Sequence, residues 1–130
     1  TKDSGIFFQS EQSMNSNLLF YIGAGLIGAF WLSRFLKMKK NRQRVPQLLN
    51  QGAVILDVRT PAEYRQGSHP KSINIPLDEL SGRFEELSKD KPVILCCASG
   101  ARSSQAESLL RAKGYDQVLN VGPWRNTLTN

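Results

Sequence analysis

A buried-strand pattern that runs directly into a loop of small residues is the feature that most restricts how this chain can fold. The stretch Pro92-Val93-Ile94-Leu95-Cys96 is apolar throughout, as is typical of a β-strand buried on both faces. Residues 97–102 form a loop of mostly small residues, and residues 103–113 then carry apolar side chains at helical spacing. A strand, a loop and a helix in this order predict a parallel sheet covered by helices on both faces.

The rest of residues 45–130 alternates between the same two patterns. The predicted strands are Ala53–Asp57, Ser72–Ile75, Val93–Cys96 and Gln117–Val121. The predicted helices are Pro46–Gln51, Pro61–Gln66, Leu77–Leu80, Gly82–Leu87 and Ser103–Lys113. We therefore expect one small α/β domain over residues 45–130, with its ligand site at the carboxyl ends of the strands.

The loop after the third predicted strand has the composition of a site for a reactive thiolate. Cys97 opens the loop, Gly100 allows a backbone turn, and Arg102 adds a permanent positive charge. The backbone N–H groups of the small residues between them can then point at the Cys97 sulfur, which lowers a thiol pKa and equally stabilises a persulfide. Ser104 and Glu107 match a capping box, which would set the start of the next helix.

Over about residues 45–128, the chain resembles the rhodanese family of single-domain sulfurtransferases. The matching residues are, in order, Ile55-Leu56-Asp57-Val58-Arg59, Pro61-Ala62-Glu63-Tyr64, Gly67, Ile73-Asn74-Ile75-Pro76, Cys97 to Ser103 and Gly114-Tyr115. The resemblance implies the family's fold, a rhodanese-like parallel sheet flanked by helices. It also implies that a cysteine takes a sulfane sulfur from a donor such as thiosulfate, holds it as a persulfide and passes it to a thiophilic acceptor.

The resemblance also implies roles for residues of this chain. Cys97 is the expected nucleophile and Arg102 the positive charge that assists it. The loop residues expected to bind the sulfur are Ala98, Ser99, Gly100, Ala101 and Ser103. Asp57 and Arg59 are expected to support the loop, Asp57 as a turn former and Arg59 as the ion-pair partner of Asp57 or Glu63. No metal ion or organic cofactor is implied, and the expected partners are a small-molecule or protein sulfur donor and acceptor.

Two positions depart from the family pattern. The family often reads Gly-His-Ile-Pro where this chain reads Gly67-Ser68-His69-Pro70, so the histidine is displaced by one position and we assign His69 no catalytic role. A Gly-Gly pair that often precedes an aromatic residue in the family is Gly122-Pro123-Trp124 here, and Pro123 removes one N–H donor. We therefore expect a different turn at Gly122 and only a short helix after it.

Two other interpretations of the same loop stay open at this point. Counted from Cys96, the residues form Cys-x5-Arg, the spacing of cysteine phosphatases, whose larger loop holds a phosphate. Because residues alternate faces along a strand, Ile94 and Cys96 share one face, and we expect Cys96 to end the strand as a packed small hydrophobe. The second alternative is a catalytically inactive domain of the same fold that acts as a binding module.

An uncharged apolar run near the N-terminus predicts a membrane-spanning helix. Residues 18–32 contain no charge, and residues 33–36 extend the run to nineteen residues with one arginine. At about 1.5 Å per residue, this run has roughly the length of the bilayer hydrocarbon core. The predicted segments are an N-terminal tail (1–17), a transmembrane helix (18–36) and a basic juxtamembrane tether (37–44). Met14 is a natural start, which leaves open whether residues 1–13 are native.

The distribution of charge predicts the topology of such a helix. Residues 1–44 carry seven basic and two acidic residues, whereas residues 45–130 carry ten basic and nine acidic residues. Because the basic cluster directly follows the apolar run, the positive-inside rule places the N-terminus outside and the rhodanese domain on the cytoplasmic side. The cluster favours the lipid bilayer and its anionic head groups as a partner, and we expect no nucleic-acid partner.

The apolar run also contains small residues at the spacing of helix–helix contacts. Ala24 with Gly28 and Gly25 with Ala29 are small-xxx-small pairs, which are compatible with a homodimer through the membrane helix. The alternative for the whole run is an amphipathic or core-packed helix of a soluble protein.

Overall fold

The computed structural model of the protein describes the backbone of residues 3–129 and the side chains of residues 13–129. Its helices are α1 (Asp3–Asn50), α2 (Pro61–Arg65), α3 (Leu77–Arg83) and α4 (Ala101–Ala112), with short 3-10 turns at Phe84–Glu86 and Trp124–Thr127. Its strands are β1 (Val54–Asp57), β2 (Ser72–Asn74), β3 (Val93–Cys97) and β4 (Val118–Pro123). The chain divides into two compact units, Thr1–Leu36 and Lys37–Asn130.

The four strands of the second unit form one parallel sheet in the order β2-β1-β3-β4. The predicted α/β class and the predicted parallel sheet are therefore confirmed. Asp57 lies opposite Cys96 in the pairing of β1 with β3, so the carboxyl ends of the two central strands meet at one edge. A register shift between Leu95 and Cys96 interrupts the pairing of β3 with β4 just before this edge, and such irregularities re-aim the residues that follow.

A separate apolar cluster covers each face of this sheet, because successive side chains of a strand point to opposite faces. The residues of β3 divide between the clusters, with Leu95 and Cys97 on one face and Ile94 and Cys96 on the other. The first cluster receives Leu80 from α3 and Ala106 and Leu110 from α4. The second receives Val45, Leu48 and Leu49 from the end of α1. The end of α1 is therefore the second helical layer of the fold.

Residues 37–44, which we expected to be a tether, are helical here and belong to the second unit. Met38, Asn41 and Val45 recur at helical spacing and lie on the inward side, and Asn41 and Val45 are buried. The intervening basic residues Lys37, Lys39, Lys40, Arg42 and Arg44 are all exposed. Because this periodicity gives the segment an uncharged side that can pack, residues 37–44 continue into the helix expected at Pro46–Gln51. Together these residues cover the sheet.

The first unit is a helical segment whose large apolar side chains face outward. Among the described residues, Leu19, Phe20 and Trp31 are each more than half exposed. Ser33 donates its hydroxyl hydrogen to the Phe30 carbonyl at 2.8 Å, which satisfies this polar group within its own helix. The described part of the chain contains one helix that is long and apolar enough to cross a membrane.

We predict that Val45→Ala lowers the free energy of unfolding by about 1–3 kcal/mol, because it removes methyl groups from a closed cluster. Lys40→Ala, on the exposed side of the same helix, should change this free energy by less than about 0.5 kcal/mol. Both changes in free energy can be measured by urea unfolding of the full chain in detergent. The fluorescence of Trp124, in a Trp31→Phe background, monitors the unfolding. Equal stabilities of Val45→Ala and the parent would contradict the packing of this segment on the sheet.

Candidate active site

The loop between β3 and α4 is a tight turn around the Cys97 side chain. Gly100 is the N-cap residue of α4 and has φ of 104°, a left-handed conformation that glycine adopts without strain. The strand extends one residue further than predicted, through Cys97, and the helix begins two residues earlier, at Ala101. The predicted capping box is absent, because the Ser104 hydroxyl instead donates to the Gly100 carbonyl at 2.8 Å.

The Cys97 sulfur accepts hydrogen bonds from the loop that surrounds it. The Gly100 N–H donates to Sγ at 2.9 Å, and the Ser103 Oγ lies 3.4 Å from Sγ. The Ser103 Oγ also lies 3.1 Å from the Gly100 carbonyl oxygen, to which it can donate. A hydroxyl has one hydrogen, so Ser103 can accept from the thiol while donating to Gly100, or turn and donate to the thiolate. The loop can therefore satisfy both protonation states of Cys97.

These hydrogen bonds make Cys97 more acidic than an ordinary cysteine. Burial by itself raises the pKa of the Cys97 thiol, but the Ser103 hydroxyl and the backbone N–H groups of Ser103, Gly100 and Ser99 outweigh burial and lower this pKa below its usual range. Cys97 itself is buried, whereas the loop residues Ala98, Ser99 and Ala101 are exposed. A small reagent therefore meets the exposed rim of the loop before it reaches the sulfur.

The neighbouring Cys96 has the opposite environment. It is 1% exposed and packs among the apolar side chains of the second cluster, on the face of β3 away from Cys97. Burial, followed by the negative charge of Asp57, raises the pKa of the Cys96 thiol far above its usual range. Cys96 is therefore a packed small hydrophobe, as predicted, and the geometry favours the six-residue loop from Cys97 to Arg102 over the longer loop counted from Cys96.

The Arg102 side chain pairs with a carboxylate that we had not assigned to it. Its two terminal nitrogens donate to the two oxygens of Glu63 on α2, at 2.7 and 2.9 Å. The Thr60 N–H and hydroxyl also donate to Glu63, in the capping box that begins α2. Arg102, together with these Thr60 donors, lowers the pKa of Glu63 to about 2. The charge of Arg102 is therefore shared between a fixed anion and the Cys97 loop, rather than free for the loop alone.

Asp57 and Arg59 form a buried ion pair at the end of β1. The Arg59 Nε donates to both Asp57 carboxylate oxygens at 3.0 Å, and a terminal nitrogen donates to Oδ2 at 2.8 Å. Arg59 also donates to the Gly67 carbonyl at 2.7 Å and lies over the Trp124 ring, 5.0 Å from its centroid. A fully partnered pair of this kind fixes the turn that leads into α2, and α2 carries Glu63.

The structure brings most of the predicted site residues together around one loop. Cys97, Gly100 and Ser103 make direct contacts, and Arg102 lies at the start of α4 with its partner on α2. His69 lies in the turn before β2, where its Nδ1 accepts the Lys71 N–H at 3.0 Å. The pairing of Glu63 with Arg102 was missed, although Glu63 was part of the matched motif, because no local spacing links positions so far apart in sequence.

We predict that iodoacetamide alkylates Cys97 and leaves Cys96 unmodified in the folded protein. Only the thiolate reacts, so the rate at Cys97 should rise with pH to a midpoint below the value of about 8.5 that an unperturbed cysteine shows. Peptide fragmentation by mass spectrometry assigns the label to one of the two residues. Faster labelling of Cys96, or a Cys97 midpoint above that of a free cysteine, would contradict this site.

The sequence of this chain is similar to those of several curated proteins named as sulfurtransferases. A "Sulfurtransferase" of Allochromatium vinosum is 43% identical over 68 residues, which are 52% of this chain and 64% of that protein. "Thiosulfate sulfurtransferase PspE" of Escherichia coli is 39% identical over 69 residues, which are 52% of this chain and 66% of that protein. The chain thus spans less than two thirds of the length of either curated relative.

A solved structure and a family model show similarity to the same group of proteins. The human single-domain sulfurtransferase TSTD1 superimposes with a TM-score of 0.55 and 29% identity over 65% of this chain and 88% of that one. The family model described as the rhodanese-like domain matches residues 41–122, which is more than half of the chain. The protein therefore belongs to the rhodanese-like domain family.

Proposed function

We propose that this protein is a rhodanese-type sulfurtransferase that carries a sulfane sulfur on Cys97. The observation that carries the proposal is the loop around Cys97, whose Gly100 N–H donates to Sγ at 2.9 Å and whose hydrogen bonds lower the pKa of this thiol. Donors arranged in this way suit an anionic sulfur atom, whether it is the thiolate or the outer sulfur of a persulfide. The names of the two bacterial relatives, a sulfurtransferase and a thiosulfate sulfurtransferase, support the same chemistry.

The reaction then has two displacement steps at sulfur. The Cys97 thiolate attacks the outer sulfur of thiosulfate, a new S–S bond forms, and the bond to the inner sulfur breaks as sulfite leaves with the electron pair. Cys97 becomes a persulfide anion, which the N–H groups of residues 98–103 would hold. A thiophilic acceptor such as cyanide or a thiolate attacks the outer sulfur and releases the Cys97 thiolate unchanged. The charge is the same before and after each step.

The charged residues around the loop have supporting parts in this proposal. Arg102 lies at the start of α4 and Glu63 fixes its guanidinium in place, so Arg102 would assist an anionic donor from a defined position. Asp57 and Arg59 are paired with each other and would act by holding the turn before α2. The sulfur donor and the acceptor themselves are identified only by class, as a sulfane-sulfur compound and a thiophile.

The two alternative functions have less support than sulfur transfer. A cysteine phosphatase would need Cys96 as its nucleophile, and burial keeps the pKa of that thiol high while its side chain packs away from the loop. An inactive binding module would not need hydrogen bonds aimed at a thiol or a buried serine beside it. We retain both as outcomes of the test that follows.

We predict that the full chain in detergent converts thiosulfate and cyanide to thiocyanate and sulfite. Cys97→Ala should lower kcat/KM by at least about a thousandfold, because the nucleophile is lost. Cys96→Ala is the matched control and should retain activity within about threefold, since Cys96 only fills space. Colorimetric thiocyanate detection measures the rate.

The results of this assay separate the three functions. Equal activities of Cys97→Ala and the parent would contradict the proposal. Turnover of a phosphate ester that requires Cys96, with no thiocyanate formed, would favour the phosphatase. No turnover of either substrate would favour the binding module.

We further propose that residues 18–36 anchor the protein in a membrane, with the N-terminus outside and the rhodanese domain on the cytoplasmic side. The exposed apolar side chains of the first unit and the length of the helix support the anchor. The exposed basic residues between Lys37 and Arg44 support the sidedness, because such clusters stay on the cytoplasmic side of short spans.

We predict that a membrane-impermeant maleimide fails to label this protein in intact cells. A Ser13→Cys/Cys96→Ala/Cys97→Ala variant, whose single thiol precedes the span, should be labelled before permeabilisation. A matched Lys91→Cys variant in the same background, on an exposed loop of the domain, should be labelled only after permeabilisation. Labelling of Lys91→Cys in intact cells would contradict the proposed sidedness, and recovery of the protein in the soluble fraction would contradict the anchor.

A further inference from the structure

We propose that Met38 and Asn41, on the part of α1 just after the apolar run, are positioning residues for the Cys97 loop. The inference deepens the proposed function, since it rests on Cys97 as the sulfur carrier. Met38 lies outside the residues that the family model matches, and Asn41 is the first residue of that match. Both lie in the second unit, within the segment expected to be a tether.

Met38 fills the space beside two glycines, Gly100 in the loop and Gly122 on β4. A β-carbon placed on Gly100 would lie 2.6 Å from the Met38 Cε, and one placed on Gly122 would lie 2.8 Å from the Met38 Sδ. The thioether therefore packs against the bare α-carbons of two glycines, one in the loop and one at the end of β4. Both glycines have positive φ, 104° and 73°. A flexible, polarisable methionine side chain suits such an irregular gap.

Asn41 begins a chain of hydrogen bonds that reaches the same loop residue. Its Nδ2 donates to the Asn120 carbonyl on β4 at 2.7 Å. The Asn120 Nδ2 donates to the Ser104 Oγ at 3.0 Å, and the Ser104 Oγ donates to the Gly100 carbonyl at 2.8 Å. The Asn120 Oδ1 also accepts the Gly122 N–H at 2.9 Å. The side chain and the backbone of Asn120 thus connect α1 with the two glycines that Met38 touches.

These contacts converge on Gly100, one of the loop residues whose N–H groups stabilise the Cys97 sulfur. Glycine can adopt a wider range of backbone conformations than any other residue. The orientation of the Gly100 N–H must therefore be fixed by contacts with its neighbours. Met38 packs against the Gly100 α-carbon, and the Ser104 hydroxyl holds the Gly100 carbonyl oxygen. Removal of either support should let the loop relax, lengthen the bond from the Gly100 N–H to Sγ and weaken the stabilisation of the thiolate.

A purely structural role for Met38 and Asn41 makes a different prediction. Residues that only hold α1 against the sheet would affect the stability of the fold and not the acidity of one thiol. Val45 provides the comparison, because it lies on the same side of α1, is fully buried, and packs in the second cluster rather than on the loop. The charged groups around the loop, Asp57, Arg59, Glu63 and Arg102, are unchanged in all of these variants. A shift in the acidity of Cys97 would therefore report its hydrogen bonds.

The test is the pH dependence of iodoacetamide alkylation at Cys97, in the full chain in detergent and in a Cys96→Ala background. We expect Met38→Ala and Asn41→Ala to raise the midpoint by about half to one pH unit, because a longer bond from the Gly100 N–H stabilises the thiolate less. Met38→Leu should restore the midpoint to within about 0.2 units of the parent, because it refills the gap with similar volume. Val45→Ala and Lys40→Ala should leave the midpoint unchanged.

Two outcomes would overturn the inference. One is an unchanged midpoint in both Met38→Ala and Asn41→Ala. The other is an equal rise in Val45→Ala, which would indicate general loosening of the fold. The alkylation needs no sulfur donor, so this readout is separate from sulfur transfer. A parent protein that forms no thiocyanate but still shows the expected shifts would contradict the proposed function and leave the positioning role in place.

Discussion

The hydrogen bond from the Gly100 N–H to the Cys97 sulfur is the contact on which the rest of the site depends. It requires β3 to deliver Cys97 at the edge of the sheet, a left-handed residue at position 100, and a helix that begins immediately afterwards. The first requirement is met by the sheet, since β1 and β4 hold β3 on both sides, and the other two by Gly100 and the start of α4. The buried parallel sheet therefore places the Cys97 sulfur next to the backbone N–H groups of the loop.

Stabilisation of the thiolate by backbone and hydroxyl donors fits the way that the charges near the site are arranged. Arg59 is paired with Asp57, and Arg102 with Glu63, so both arginines near the loop have an anionic partner in the described part of the chain. Fixed dipoles that already point at the sulfur need no reorganisation when charge develops there. Each of these two arginines therefore adds little net charge beside the loop, because its partner carries the opposite charge.

The sequence was sufficient to predict the sheet, the loop and the separate environments of Cys96 and Cys97, because local apolar periodicity and one motif carry that information. The sequence was not sufficient to predict contacts between segments that are far apart along the chain. The pairing of Glu63 with Arg102 joins α2 to α4, and the docking of Asn41 joins α1 to β4. A helical repeat of uncharged residues at positions 38, 41 and 45 was visible among the lysines and arginines. Because five of the eight residues in 37–44 are basic, we interpreted this segment as a tether and did not use the repeat to predict a packed helix.

The measurement that most directly tests the central claim is the intact mass of the full chain after incubation with thiosulfate, with Cys97→Ala and Cys96→Ala measured in parallel. A persulfide at Cys97 predicts that the parent and Cys96→Ala gain the mass of one sulfur atom. Dithiothreitol should remove this gain, and Cys97→Ala should show none. A gain that persists in Cys97→Ala, or no gain in the parent with either thiosulfate or a persulfide donor, would contradict sulfur transfer through Cys97.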